Sequence, residues 1–210
     1  GSEVLPRAPS DVVWRAGDAV QVSWGIRFNH GGGYQYRLCR SNETLTEACF
    51  QRLPLEFVRG SQMLQWNNRS SAKIAGTYVD LGTFPSGSTW AMNPIPRINF
   101  DSHSSGQPAG SSGCALVNGT PDGAACRAFT PPCDDRGWFP VPPRTASIDV
   151  EGECSGDWIG GSVVDAVVIP DDLPPGNYVL GWRWDCEESD QVWTSCADVT
   201  IAPPRKVRSE

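Results

Sequence analysis

The sequence predicts an all-β fold, with short strands packed as a β-sandwich and one long loop insertion pinned by disulfides. Short runs of alternating apolar and polar residues recur along most of the chain, separated by Gly, Pro, Asn and Asp. No stretch of a dozen residues shows helical periodicity. The chain of 210 residues contains nine Trp, seven Phe and four Tyr, enough to bury a core of its own. We therefore expect a single sandwich domain over residues 1–201, followed by a polar tail at 202–210.

The N-terminal part reads as one short strand followed by a hairpin. Residues 12–14 are the short strand. Within residues 20–38, apolar and polar side chains alternate on both sides of a glycine-rich break at 29–33, which carries His30. We expect these two runs to pair as a hairpin that presents His30 on its turn. The side chains expected on the buried face are Val20, Val22, Trp24, Ile26, Phe28, Tyr34, Tyr36 and Leu38.

The next stretch continues the rhythm of short strands. Cys39 and Cys49 bracket a polar loop and are expected to form a local disulfide. Further strands are expected at 63–66 and within 72–80 and 83–90, since turn residues separate these segments.

Residues 93–154 differ in character from the rest of the chain. They are rich in Pro, Ser and Gly and contain four of the eight cysteines, Cys114, Cys126, Cys133 and Cys154. A segment this poor in regular pattern needs cross-links to stay ordered, so we expect a disulfide-pinned insertion, with its pairing left open. His103 lies here among Ser and Gly and is expected to be solvated.

The C-terminal part returns to regular strands. Residues 163–169 form a β-branched run, and residues 178–185 and 191–201 are expected to be two further strands. In the first of these two, Tyr178, Leu180, Trp182 and Trp184 share one face. Cys186 and Cys196 flank the turn between the strands and are expected to bridge them.

Composition indicates a secreted protein. Eight cysteines at irregular spacing, with only two histidines, favour disulfides over a zinc site. Glycosylation sequons at Asn42, Asn68 and Asn118 fit the same compartment. A net charge of −7 argues against nucleic acid as a partner, and no run of eighteen apolar residues predicts a membrane span. No signal peptide precedes Gly1, so we expect a processed or partial chain.

Three segments carry motifs that together form a recognisable pattern. The segment 29–39 begins with Asn-His-Gly-Gly-Gly-Tyr, and the segment 174–184 begins with Pro-Pro-Gly-Asn-Tyr. The segment 191–199 begins with Gln-Val-Trp-Thr-Ser-Cys. Together they resemble the lytic polysaccharide monooxygenases, particularly the chitin-binding type-4-like domains of algae and other protists. The likeness runs from about Val12 to Ile201. It implies a distorted immunoglobulin- or fibronectin-like sandwich in a secreted protein that acts on a polysaccharide such as chitin, cellulose or another cell-wall glycan.

The resemblance also implies copper held by two histidines, one of them the first residue of the mature protein. His30 is similar to the second of these, which makes it the expected copper ligand. Gln191 and Trp193 occupy the positions expected beside the axial site and are the catalytic candidates. Because no histidine precedes His30, we expect this chain to lack the N-terminal histidine part and to be incomplete for catalysis alone.

Two other functions stay open beside the oxidative enzyme. The first is a non-catalytic carbohydrate-binding or cell-wall module that keeps the sandwich and its surface without the chemistry. The second is a structural extracellular glycoprotein in which His30 is incidental. Trp90, Trp138 and Trp158 lie in irregular stretches and are candidates for stacking on sugar rings or for local core.

Overall fold

The computed structural model describes residues 10–25, 32–66, 71–74, 76–94, 116–117, 120–121, 161–186 and 190–205. Its elements are the strands β1 Val13–Arg15, β2 Ala19–Trp24, β3 Gly33–Arg40, β4 Glu56–Phe57, β5 Met63–Trp66, β6 Ser71–Lys73, β7 Tyr78–Val79, β8 Trp90–Met92, β9 Leu116–Val117, β10 Thr120–Pro121, β11 Gly161–Val168, β12 Gly176–Asp185 and β13 Val192–Ala202, and the one-turn helix α1 Glu47–Phe50.

Two sheets account for most of the described strands. One has the order β1-β13-β12-β3-β8-β7, and the other has the order β2-β11-β5-β6, with β4 also paired to β11. Apolar side chains of both sheets meet in one buried core, which includes Val22, Trp24, Tyr34, Tyr36, Leu38, Leu64, Val163, Val167, Tyr178 and Trp184. The prediction of an all-β sandwich is confirmed.

The predicted hairpin at 20–38 is wrong, because its two runs belong to opposite sheets. β2 pairs with β11, and β3 pairs with β12 and β8. The two runs meet through their side chains instead, with the rings of Trp24 and Tyr34 4.8 Å apart between centroids. Both runs have an apolar face, and facing sheets bury the two faces against each other. Alternation alone does not distinguish this arrangement from a hairpin.

β12 is the central strand on which the larger sheet depends. It pairs along its whole length with β13 and along eight residues with β3. The predicted face of Tyr178, Leu180, Trp182 and Trp184 is confirmed, since all four side chains are in the core or packed against it. β3, the strand that follows His30 in the chain, is not a neighbour of β13, because β12 lies between the two strands.

One of the two predicted local disulfides is present. Cys39 and Cys49 are bonded, with their Cα atoms 5.5 Å apart, which ties α1 to β3. The predicted bridge between Cys186 and Cys196 is wrong. Cys196 pairs with Gly181, five residues before Cys186 along β12, which corresponds to about 16 Å, whereas a disulfide needs Cα atoms within about 7 Å. Cys196 carries an exposed free thiol instead.

On the outer face of the larger sheet, Phe50 of α1 packs directly against Gly181 of β12. A Cβ atom at Gly181 would lie 2.8 Å from ring carbons of Phe50, closer than carbon atoms pack. We expect Gly181→Ala to lower the free energy of unfolding by about 1–3 kcal/mol, because the ring must move out of its place. Urea denaturation measures this change. In a Phe50→Ala background the same substitution should have little effect, and an undiminished cost there would contradict the steric reason.

Most of the predicted insertion, and with it His103 and the cysteines at 114, 126, 133 and 154, lies outside the described residues. The described part of it includes the small antiparallel pair β9–β10. Within the part of the chain that the structure describes, no helix is long and apolar enough to cross a membrane. The stretch 83–89, predicted as strand, is a loop of turns that leads into β8 at Trp90.

Candidate functional site

One end of the larger sheet brings together the segments predicted to carry the site. Gly33 begins β3 opposite Asp185, and Asp185 pairs in turn with Val192 at the start of β13. Gly33 and Val192 are therefore two strand spacings apart, about 10 Å. The chain that follows His30 therefore enters the sheet at the end where Gln191 and Trp193 lie.

Gln191 and Trp193 contact each other at this end. The indole Nε1 of Trp193 donates a hydrogen bond to Oε1 of Gln191 at 3.3 Å, and the backbone N–H of Cys186 donates to the Gln191 carbonyl at 3.1 Å. Trp193 faces Trp184 across the ladder, yet Trp193 is 52% exposed while Trp184 is 4% exposed. The first six residues of β13 are all exposed to solvent.

The described residues do not form a copper site by themselves. His30 lies outside them, and among them no three His, Cys, Asp or Glu side chains stand close enough together to hold a metal ion. The amide oxygen of Gln191 already accepts a hydrogen bond, and the indole N–H of Trp193 is a donor without a lone pair for a metal. Copper(II) favours several nitrogen ligands, so the role of His30 as a ligand stays a prediction.

A surface cleft of about 310 Å³ opens at the same end of the larger sheet. It is lined by two glycines, by Thr83 and Phe84 of the loop before β8, by Trp90 of β8, and by Arg183 and Asp185 of β12. Alternation along β12 directs Arg183 and Asp185 to the face opposite the core residues Trp182 and Trp184. The cleft is therefore on the outer face of the sandwich.

The aromatic and charged walls of the cleft are fixed by bonds to each other. Trp90 donates its indole N–H to the carbonyl of Phe84 at 3.2 Å. The guanidinium carbon of Arg183 lies 6.0 Å from the centre of the Trp90 ring, within reach of a cation–π contact. Arg183 also binds Asp185 twice, from Nε to Oδ1 at 2.6 Å and from Nη2 to Oδ2 at 2.9 Å. This two-bond geometry holds both side chains in one orientation.

Glu47 of α1 belongs to a network of charged side chains that includes Arg183, which lines the cleft. Its Oε1 accepts hydrogen bonds from Nη1 of Arg183 at 2.7 Å and from Nη1 of the buried Arg37 at 2.5 Å. Partial burial raises the pKa of Glu47, but the bond and charge of Arg37, the bond from Gln51 and the charge of Arg183 together outweigh it and leave the pKa below its ordinary value. The bond to Asp185 raises the pKa of Arg183. Two arginines and two carboxylates are therefore paired in one network.

A second polar cluster lies inside the core, between the two sheets. Tyr34 and Tyr36 donate their hydroxyl hydrogens to Oδ2 of Asp165 at 2.9 and 3.1 Å, and Nε2 of Gln62 donates to Oδ1 at 3.0 Å. Burial raises the pKa of Asp165, and the three donors offset part of that effect. Burial, followed by the Asp165 charge, raises the pKa of both tyrosines, so their hydroxyls stay protonated as donors.

Sequence reasoning identified some of these residues and missed others. Trp90 was a candidate for sugar stacking, and the structure places it in the cleft. Arg183 and Asp185 were not recognised as a pair, although their spacing of two on one strand was a usable signal. Asp165 was also missed, and its signal was a single carboxylate inside the apolar run at 163–169.

The sequence matches no protein-family profile. Among solved structures, the chain is similar to the AA15 lytic polysaccharide monooxygenase from Thermobia domestica in the Cu(I) state. The TM-score is 0.40 and the sequence identity is 14%, and the match covers 90% of this chain. The chain spans 62% of the length of that protein.

Proposed function

We propose that this chain is the polysaccharide-binding sandwich of a secreted, copper-dependent polysaccharide-oxidising protein, and that His30 is its contribution to the copper site. The observation that carries the proposal is the strand register at one end of the larger sheet. It sets the start of β3, three residues after His30, about 10 Å from the start of β13, next to Gln191. The resemblance in the sequence assigns the metal ligand and its neighbours to the same two segments.

The Cys39–Cys49 disulfide supports the proposed compartment, since structural disulfides persist in oxidising environments. The exposed Asn42 side chain, part of a glycosylation sequon, is accessible for modification. Chitin, cellulose or another cell-wall glycan is the proposed substrate class. The net charge of −7 favours an uncharged or cationic glycan over an anionic one.

A second candidate is a carbohydrate-binding module without oxidative chemistry. The bond between Trp193 and Gln191 favours it, because the Trp193 indole N–H takes one of the two acceptor positions of the Gln191 amide oxygen, which the oxidative chemistry would need. Both candidates bind a polysaccharide, and they differ in whether His30 holds copper. Copper affinity therefore separates them.

We expect this chain to bind Cu(II) weakly, because one imidazole replaces a set of several nitrogens. His30→Ala should lower that affinity by about tenfold or more, since it removes the proposed ligand. Isothermal titration of Cu(II) into the wild type, His30→Ala and His103→Ala measures the effect. His103→Ala is the matched control and should leave the affinity unchanged.

The outcomes of this titration are distinct. Equal binding by the wild type and His30→Ala would remove His30 from the metal site and leave the binding module as the function. Tight, stoichiometric binding by the wild type would show that His30 has further ligands within this chain. With a reductant supplied, the chain alone should release no oxidised products from chitin or cellulose, while a pull-down with either polysaccharide should retain it.

A further inference from the structure

We propose that the cleft lined by Thr83, Phe84, Trp90, Arg183 and Asp185 is a subsite for one uncharged sugar ring of the bound glycan. The inference rests on the proposed function, because it assumes that the chain binds a polysaccharide. It goes beyond that function by naming the residues that hold one sugar unit and the charge that the unit carries.

The size and the aromatic walls of the cleft suit a single ring. Its volume of about 310 Å³ lies at the lower end of ligand-binding pockets, which span about 300–1,000 Å³. Phe84 is 65% exposed, so its ring is available to a ligand without rearrangement of the core. The bond from the Trp90 indole to the Phe84 carbonyl holds the Trp90 ring against the backbone of the loop that carries Phe84. A sugar presents an apolar C–H surface that packs on such rings.

The polar wall suits hydroxyl groups. An ionised carboxylate offers about four acceptor positions, and Arg183 occupies two of those on Asp185. Asp185 is 41% exposed, so its remaining acceptor positions are open to neighbouring hydroxyls of a sugar. The hydroxyl of Thr83 donates to the carbonyl of Asp80 at 3.2 Å, which leaves its oxygen as an acceptor. These groups are held in position before a ligand arrives, which reduces the entropy lost on binding.

The charges at the cleft select an uncharged ring. Arg183 and Arg37 are matched by Asp185 and Glu47, so the network has no net charge. Among the described residues that line the cleft, the one cation, Arg183, is already paired with Asp185 and Glu47, so a uronic acid carboxylate would lie near Asp185 without an unpaired cation there, in a chain whose net charge is −7. The like charges would repel. A neutral hexose or an N-acetylated amino sugar meets no such cost.

The test is a titration of the full chain with soluble chitohexaose, cellohexaose and an oligogalacturonate, followed by NMR of the Trp90 indole N–H and by calorimetry. We expect a neutral oligosaccharide to shift the indole resonance and to bind roughly tenfold more tightly than the oligogalacturonate. Phe84→Ala and Asp185→Asn should each weaken that binding roughly tenfold. Leu81→Ala is the matched control, because Leu81 is 85% exposed on the same loop and does not line the cleft, and it should change the affinity less than twofold.

The outcomes separate this inference from the proposed function. If insoluble chitin or cellulose retains the wild type while Phe84→Ala binds equally well and the indole resonance does not move, the cleft is not the subsite and the proposed function stands. If no polysaccharide binds, both fail. Tighter binding of the oligogalacturonate would overturn the preference for an uncharged ring. Because Phe84 is exposed, its substitution tests the cleft even if Asp185→Asn fails to fold.

Discussion

Replacing Asp165 with alanine is expected to lower the free energy of unfolding by about 3–5 kcal/mol. The side chain is 1% exposed and accepts hydrogen bonds from Tyr34, Tyr36 and Gln62, which come from β3 and from the segment before β5. Alanine would remove the acceptor of both tyrosine hydroxyls, would leave Gln62 Nε2 with only its 2.7 Å bond to the Tyr34 hydroxyl, and would open a polar cavity. A loss of this size is a large part of the stability of a typical domain.

The same carboxylate gives a pH dependence whose sign follows from its pKa. Burial raises the pKa of Asp165 in the folded state above the ordinary value of 3.8. A group with a raised folded pKa contributes stability that is complete below the unfolded pKa and is lost as pH rises through the folded pKa. The unfolding free energy of the wild type, relative to that of Asp165→Asn, should therefore fall as pH rises from about 3.8 through the raised folded pKa.

Urea denaturation of the wild type, Asp165→Ala and Asp165→Asn at several pH values measures both effects. The difference between the wild type and Asp165→Asn isolates Asp165, since other carboxylates titrate in both proteins. Asp172→Ala is the surface control, because this carboxylate is exposed, and its effect should be below about 0.5 kcal/mol. A cost of less than 1 kcal/mol for Asp165→Ala would show that the buried cluster does not hold the two sheets together.

Removing the Cys39–Cys49 disulfide is expected to lower the free energy of unfolding by about 2–3 kcal/mol, the loop-closure value for a short loop. The bond closes a segment of sequence separation 10 that contains α1. A helix of one turn is not stable by itself, so α1 depends on the disulfide and on its cap, where Thr46 Oγ1 accepts a hydrogen bond from the Cys49 N–H at 3.3 Å.

The measurement is urea denaturation of the double variant Cys39→Ala/Cys49→Ala under oxidising conditions. Cys196→Ala is the matched control, because it removes an exposed free thiol and should change stability by less than about 0.5 kcal/mol. The double variant should also weaken the bonds from Arg37 and Arg183 to Glu47, since α1 positions that carboxylate. An unfolding curve that coincides with that of the wild type would show that packing alone holds α1.

The candidate site was predictable only in part. The family resemblance in the sequence singles out Gln191 and Trp193, and the irregular stretch around Trp90 makes that residue a candidate for sugar stacking. The sequence did not identify the Arg183–Asp185 pair as one wall of a cleft, since the facing wall comes from Phe84, about a hundred positions earlier in the chain. His30 remains a prediction from the sequence.

The sequence by itself determined the fold class, the longer strands with their buried faces, and the Cys39–Cys49 disulfide, because alternation and short spacing are local properties of the chain. The tertiary structure decided which strands pair. The runs at 20–24 and 33–40 look like a hairpin, yet they lie in opposite sheets, because burying both apolar faces requires them to face each other across the core. The tertiary structure also decided the surroundings of Asp165 and Cys196. Pairing between distant strands places Asp165 among buried hydrogen-bond donors. It leaves Cys196 exposed and out of reach of Cys186.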